Sequence, residues 1–230
     1  MKEAETFSKT IGEIVAQDFR TASVFSEAGI DFCCGGKMTL EEACAEKGIN
    51  VSDMITKLEN PESAAAPAHK FNEWRPGFLC DYIVNEHHSY VRRSLPELVF
   101  YTRKIAGVHG ANHPELSEIA DLIEVINNEL LLHLNEEEEV LFPAIKKLFG
   151  SNSAEPDIKN IISSLIGEHE SAGGAMDSIN AMTDGYKLPA DACNSYRMTF
   201  ELLKKFEDDL HVHVHLENNI LFPKTMNKLN

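Results

Sequence analysis

Apolar residues recur along this chain mostly at intervals of three and four, the period of a helix face, and almost nowhere at the alternation of a strand. The pattern predicts four long helical segments near 77–108, 114–149, 156–183 and 190–228. They are separated by GVHGANHP, FGSNSAEPD and TDGYKLP, each rich in Gly, Pro, Asn or Asp. Four helices with short connections imply an up-down four-helix bundle. Pro96, Pro143 and Pro223 fall inside these patterns, where a missing N–H is expected to kink or end the helix. Upstream, Thr10 to Ala28 sets Ile11, Ile14, Val15, Phe19, Ala22 and Phe25 at helical spacing, and Gly29 stops that helix. After the turn DFCCGGK, Thr39 with Glu42 reads as a capping box, and Ser52 as the cap of a third short helix ending near Glu59. The stretch NPESAAAPAHK then reads as a linker. The expected chain is all-α: a small helical domain over 1–60, a linker over 61–75, and the bundle over 76–230. Three short helices bury little surface, so the small domain is expected to lean on a partner.

Polar residues interrupt the core-facing seam of each long segment at one level. In the second, Ile126, Leu130, His133, Glu137, Val140 and Ala144 are separated by 4, 3, 4, 3 and 4 residues. In the fourth, Phe206, Leu210, His213, Glu217 and Ile220 keep the same rhythm. The two stretches are related by sequence: HLNEEEEVLFP at 133–143 returns as HVHLENNILFP at 213–223. Val84, His88, Val91, Leu95 and Leu98 form the first seam, turning His88 inward and His87 away. Ile162, Ile166, His169, Gly173 and Met176 form the third. His88 precedes His133 by 45 residues and His169 precedes His213 by 44, so each half contributes one His and one His-x-x-x-Glu. Positions i and i+4 share a helix face, which sets each of these imidazoles beside a carboxylate. A carboxylate in an apolar seam is severely desolvated unless a cation compensates. A lone seam His is most often a hydrogen-bonded core residue; four of them with two glutamates in register point to metal.

Four imidazoles and two carboxylates exceed one tetrahedral zinc and suit two metals, each with two His, bridged by Glu137 and Glu217. Nitrogen and oxygen donors with open positions favour iron over manganese. None of the four histidines has a Glu three residues before it, which argues against the Glu-x-x-His pattern of ferritin-type oxidases. Glu129, one turn before His133, and Glu168, directly before His169, are placed to orient a ligand imidazole through its second nitrogen, or simply to lie on the bundle surface. The rest of the Glu136–Glu139 run, and His211 and His215, read as solvated face. His69, His109 and His113 fall in linker or turns. Cys33 and Cys34 precede Gly35-Gly36, where exposed backbone amides would lower a thiol pKa; packing in a tiny core is the alternative. Cys44, Cys80 and Cys193 read as packing residues.

The formal charge of −16, from 37 acidic and 21 basic residues, disfavours nucleic acid and anionic membrane as partners. No apolar run approaches the roughly 20 residues that span a bilayer. The opening MKEAETFSKT lacks a secretory apolar core, and the five cysteines lack disulfide spacing, so a cytoplasmic location is expected.

The turn DFCCGGK, His88 before LPEL, His133/Glu137 before LFP, the EH at 168–169 and HVHLENNILFP together resemble the repair-of-iron-centres proteins, over nearly the whole chain. These are hemerythrin-like di-iron proteins linked to restoring iron–sulfur clusters damaged by nitric oxide or oxidants. The resemblance implies two non-haem irons bound by His88, His133, His169 and His213 and bridged by Glu137 and Glu217, with Glu129 and Glu168 close by. It also implies a stress-response role, with damaged iron–sulfur proteins as partners. The expected activity is supply of iron by a donor, not turnover by an enzyme, with Cys33 and Cys34 assisting transfer. Two other activities are compatible with the same residues: reversible binding or sensing of oxygen or nitric oxide, and reduction of nitric oxide at the two irons. A homodimer is compatible with the sequence as well.

Overall fold

A computed structural model of the chain describes residues 9–59, 61, 70–151 and 157–230. It divides into two compact units: Met1–Leu79 together with His211–Asn230, and Cys80–Leu210. Among the described residues the elements are helical, and the one extended pairing is an isolated antiparallel bridge between Thr10 and Thr39. The helices are α1 (Ile11–Gln17), α2 (Thr21–Glu27), α3 (Leu40–Lys47), α4 (Val51–Glu59), α5 (Pro76–Ile83) and α6 (Ser89–His109). They continue as α7 (Glu115–Glu136), α8 (Phe142–Ser151), α9 (Ile158–Met182), α10 (Asn194–Leu216) and α11 (Phe222–Leu229). Most of the linker predicted at 61–75 lies outside the described residues.

In the first unit the single helix expected over Thr10 to Ala28 is two. Asp18 is extended and ends α1. Its carboxylate accepts from the Arg20 amide at 3.1 Å and from the Arg20 guanidinium, while Thr21 Oγ1 donates to the Asp18 carbonyl at 2.7 Å. Local polar bonding of this kind competes with continued helix. Thr39 and Glu42 form the expected capping box, and Thr10 with Glu13 forms a second. The cap of α4 is Asn50, not Ser52: its Oδ1 accepts from the Ser52 amide at 2.9 Å and from the Asp53 amide at 3.3 Å. Ile11, Val15, Phe25, Leu40, Cys44 and Met54 fill the core of this unit.

The second unit is the bundle. Arg92 reaches Glu138, and nearer the turn Arg103 reaches Asp121 at 2.7 Å, so α6 and α7 run antiparallel. His133 of α7 meets Glu168 of α9, and Asn180 of α9 meets Glu207 of α10. Tyr196 packs on His109 and Asp209 on His87, which closes the ring of four antiparallel helices. The break at TDGYKLP holds three consecutive left-handed residues, Asp184, Gly185 and Tyr186. α6 runs on past Pro96. Pro143 and Pro223 each stand two residues past a π-turn, and the helix runs on through both.

Three π-turns interrupt the long helices, at Val84–His88, Glu137–Leu141 and Glu217–Leu221. Each π-turn adds a residue and rotates the chain beyond it by about one helical position. The buried residue one turn before His88 is therefore Ile83, five positions away, and Val84 is only half-buried. After Glu137 the seam passes to Leu141, fully buried, while Val140 is 47% exposed. The expected spacing of three past Glu137 is wrong for this reason. In α9 the buried face is Ile162, Leu165, His169, Ala172 and Met176, so Ile166 and Gly173 of the expected seam turn partly outward. No described helix is long and apolar enough to cross a membrane.

Candidate metal centre

His88, His133, Glu137 and His169 are all buried in the bundle, with Glu137 at 0% exposure. Nε2 of His88 lies 3.3 Å and Nε2 of His133 lies 3.4 Å from the same carboxylate oxygen of Glu137. His169 Nε2 is 3.0 Å from His133 Nε2. Donor atoms of His133, Glu137 and His169 fall within 4.8 Å of one another. Two of the three π-turns pin this group: one ends at His88 and the other begins at Glu137. In the other unit, His213 and Glu217 are equally buried and stand 3.1 Å apart as Nε2 and Oε1. Glu217 begins the third π-turn, as Glu137 begins the second.

The outer nitrogens decide what the inner ones can do. His88 Nδ1 is 2.8 Å from Glu138, and His133 Nδ1 is 2.8 Å from Glu168. A carboxylate only accepts, so each Nδ1 carries its proton, and in a neutral ring Nε2 then presents a lone pair inward. The lone pairs of His88 and His133 thus face one carboxylate oxygen of Glu137 at 3.3 and 3.4 Å. Burying such an assembly without positive charge costs several kcal/mol. A divalent or trivalent cation among these atoms removes that cost, and nitrogen and carboxylate donors of this kind suit iron. The donor set fits the two-iron reading.

Glu168 meets the outer nitrogen of His133 and is about half exposed. Glu129 is exposed and no bond joins it to a seam imidazole; it lines a cleft between α7 and α9. That cleft, of about 420 Å³, reaches His133 and is bordered by Glu129, Glu136, Ser164, Gly167 and Glu168. Glu138 was missed, because the run around Glu137 looked like uniform surface; it also holds Arg92 at 3.0 Å and its carboxyl stays below its usual range despite partial burial, through the His88 and Arg92 bonds. His87, expected to face away, is buried and lies 3.0 Å from Asp209.

The cysteine turn also departs from expectation. The amides of Cys33, Cys34 and Gly35 are not free; they donate to the Asp31 carboxylate at 2.8, 3.1 and 2.7 Å. The Cys33 thiol is accordingly raised, not lowered, by its bond with Cys34, by burial and by the Asp31 charge. The two sulfurs are 4.0 Å apart and are not joined in a disulfide. His215, expected on the surface, is fully buried beneath this turn, with its ring edge-on to Phe32 at 5.7 Å; burial holds its pKa down to about 4. His211 is half-buried against the same ring. Cys44 and Cys80 are packed as expected, but Cys193 is exposed, with Sγ 3.2 Å from His109 Nε2. His113, also expected to be unremarkable, bonds Asp191 at 2.9 Å. His69 lies outside the described residues.

Two family models match the chain: a domain of unknown function (DUF542) over residues 7–62, and the hemerythrin HHE cation binding domain over 81–225. Curated relatives match across its whole length. The iron–sulfur cluster repair protein YtfE of Pectobacterium atrosepticum is 35% identical over 221 residues, covering 95% of this chain and 96% of its own. The iron–sulfur cluster repair protein ScdA of Staphylococcus haemolyticus is 32% identical over 219 residues, covering 95% and 98%. YtfE of Citrobacter koseri is 33% identical over 220 residues, covering 94% and 96%. With a cation-binding hemerythrin domain, buried His/Glu clusters able to hold metal, and relatives of this likeness end to end, the chain belongs to the iron–sulfur cluster repair family.

Proposed function

We propose that this protein restores damaged iron–sulfur clusters by supplying iron from a di-iron centre held by His88, His133, His169 and His213, with Glu137 and Glu217 as bridges. The single observation that carries this reading is Glu137, a fully buried carboxylate ringed by inward-facing imidazole nitrogens, in a family of cluster repair proteins. The repeat of His-x-x-x-Glu ahead of Leu-Phe-Pro supports the same role for His213 and Glu217, and the hemerythrin match spans all six. The irons, when bound, are themselves the cargo and tolerate exchange because carboxylate and imidazole hold them without thiolate.

The protein's own groups have three tasks. Glu138 and Glu168 fix the tautomer and aim of His88 and His133. Glu129, Glu136 and Glu168 line the cleft beside His133, a route whose charge favours a cation over an anion. Cys33 and Cys34, in the 1–60 segment, receive the metal or touch the client; Cys34 is the more open of the two. The clients are iron–sulfur proteins damaged by nitric oxide or oxidants, and the setting is the cytoplasm.

The test is repair of a nitric-oxide-damaged iron–sulfur enzyme under anaerobic conditions, with iron-loaded and iron-free protein in parallel. Activity of the damaged enzyme should return with the loaded form and not with the iron-free form. Equal recovery with both would rule out supply of iron.

A further inference from the structure

Asn219 is the third residue of the π-turn that Glu217 begins. Its Nδ2 donates to the carbonyl of Cys33 at 2.9 Å and to that of Phe32 at 3.3 Å. The same Nδ2 lies 3.3 Å from His215 Nδ1, itself 3.4 Å from the Phe32 carbonyl. The Asn219 carboxamide fills a space bounded by two glycines. A Cβ at Gly12 would stand 2.2 Å from Asn219 Oδ1, and one at Gly36 would stand 2.4 Å from it. No side chain can occupy either position while the amide stays. Volume alone does not explain this: a Leu would fill the space, yet the residue here is one with two N–H donors, aimed at consecutive carbonyls of the turn that carries the thiols.

We propose, resting on the assignment of Glu217 as an iron ligand, that Asn219 is a positioning residue that couples the iron centre to the vicinal thiols. It fixes the π-turn from which Glu217 projects to the main chain of Phe32 and Cys33. The aim of the bridging carboxylate and the presentation of Cys34 are then set together, so that gain or loss of iron is felt at the thiol. Coupling between two sites is reciprocal: whatever loading does to Cys34, a change at the turn does to retention of iron.

The experiment uses the full chain with Cys193→Ser, which removes an exposed thiol. Two quantities are read: the alkylation rate of Cys34 with and without iron, and the rate of iron(II) loss to a chelator. Loading should change the Cys34 rate by about fivefold or more, the low end of ordinary coupling between sites. Asn219→Asp, which sets a carboxylate oxygen against the two carbonyls, should abolish that difference and hasten iron loss. Gly36→Ala attacks the same contact from the opposite side and should act alike, so a folding failure in one variant leaves the other. Ile55→Ala, in the core of the same unit and away from Asn219, should lower the melting temperature and keep the difference.

A Cys34 rate indifferent to loading in the parent, or coupling retained in Asn219→Asp and Gly36→Ala, overturns the proposal. So does coupling lost equally in Ile55→Ala, since general loosening would then be the cause. Glu217→Ala separates the premise: if that variant keeps both irons, Glu217 is not a ligand, whatever Asn219 does.

Discussion

Removing Glu138 tests whether the outer carboxylates govern the centre. One oxygen of Glu138 accepts from His88 Nδ1 at 2.8 Å and from Arg92 at 3.0 Å. Glu138→Ala leaves the His88 ring, 1% exposed, without its acceptor, so its tautomer and tilt are no longer fixed. Loss of such a partner typically costs 10–100-fold in metal affinity, or about 1.4–2.7 kcal/mol. Glu138 is itself 29% exposed, so water can take over part of the bond, and the expected loss is nearer tenfold. Glu138→Gln keeps an acceptor oxygen and should lose only a few-fold. The Arg92 ion pair is too open to hold the fold together, and its removal should change stability by less than about 1 kcal/mol. The measurement is anaerobic competition for iron(II) against a coloured chelator, with Glu139→Ala, a change at an exposed neighbour, as the control. If Glu138→Ala and Glu139→Ala hold iron equally well, the assignment of Glu138 to His88 is wrong.

Two further outcomes follow from other parts of the molecule. Leu141→Ala should destabilise iron-free protein by about 2–5 kcal/mol, and Val140→Ala by under about 0.5 kcal/mol, in urea unfolding; the reverse order would deny the π-turn at Glu137. Cys193, whose thiol is drawn down to about 7 first by the His109 bond and then by the Tyr196 and Ser195 amides, should be alkylated with a rate that rises through pH 7. With its thiolate favoured, the rate falls only as pH drops below that value, and His109→Ala should push the midpoint back toward the usual thiol range, about 8.5; an unmoved midpoint would dismiss the His109 contact.

The helices were legible because each long segment buries one stripe, and a stripe three or four residues apart survives in the sequence whatever it packs against. Breaks were legible where Gly, Pro and Asn gather. The division of the first expected helix was not, because Asp18 and Arg20 end α1 through a bond between their side chains that leaves Phe19 and Ala22 in phase with Ile11 and Val15. Asn50 and Ser52 are both capping residues by type, and only the geometry says which oxygen reaches the amides.

The candidate centre shows the same limit at finer grain. Imidazoles and carboxylates in an apolar stripe are visible because they violate the stripe, and that is how His88, His133, Glu137 and His169 were found. Glu138 violates nothing. It sits in a run of four glutamates, and its partner comes from a helix 50 residues earlier. The π-turns are hidden for a related reason: an added residue shifts the seam by one position, and a run such as Val140-Leu141-Phe142 is apolar in either register. His215 is the sharpest case, since the face it shares with Asn219 looks polar and solvated until the Phe32–Cys34 turn covers it. Polar groups on that face serve a main chain that the sequence sets 183 residues away, so the polarity that marks a surface in one context marks a contact in another.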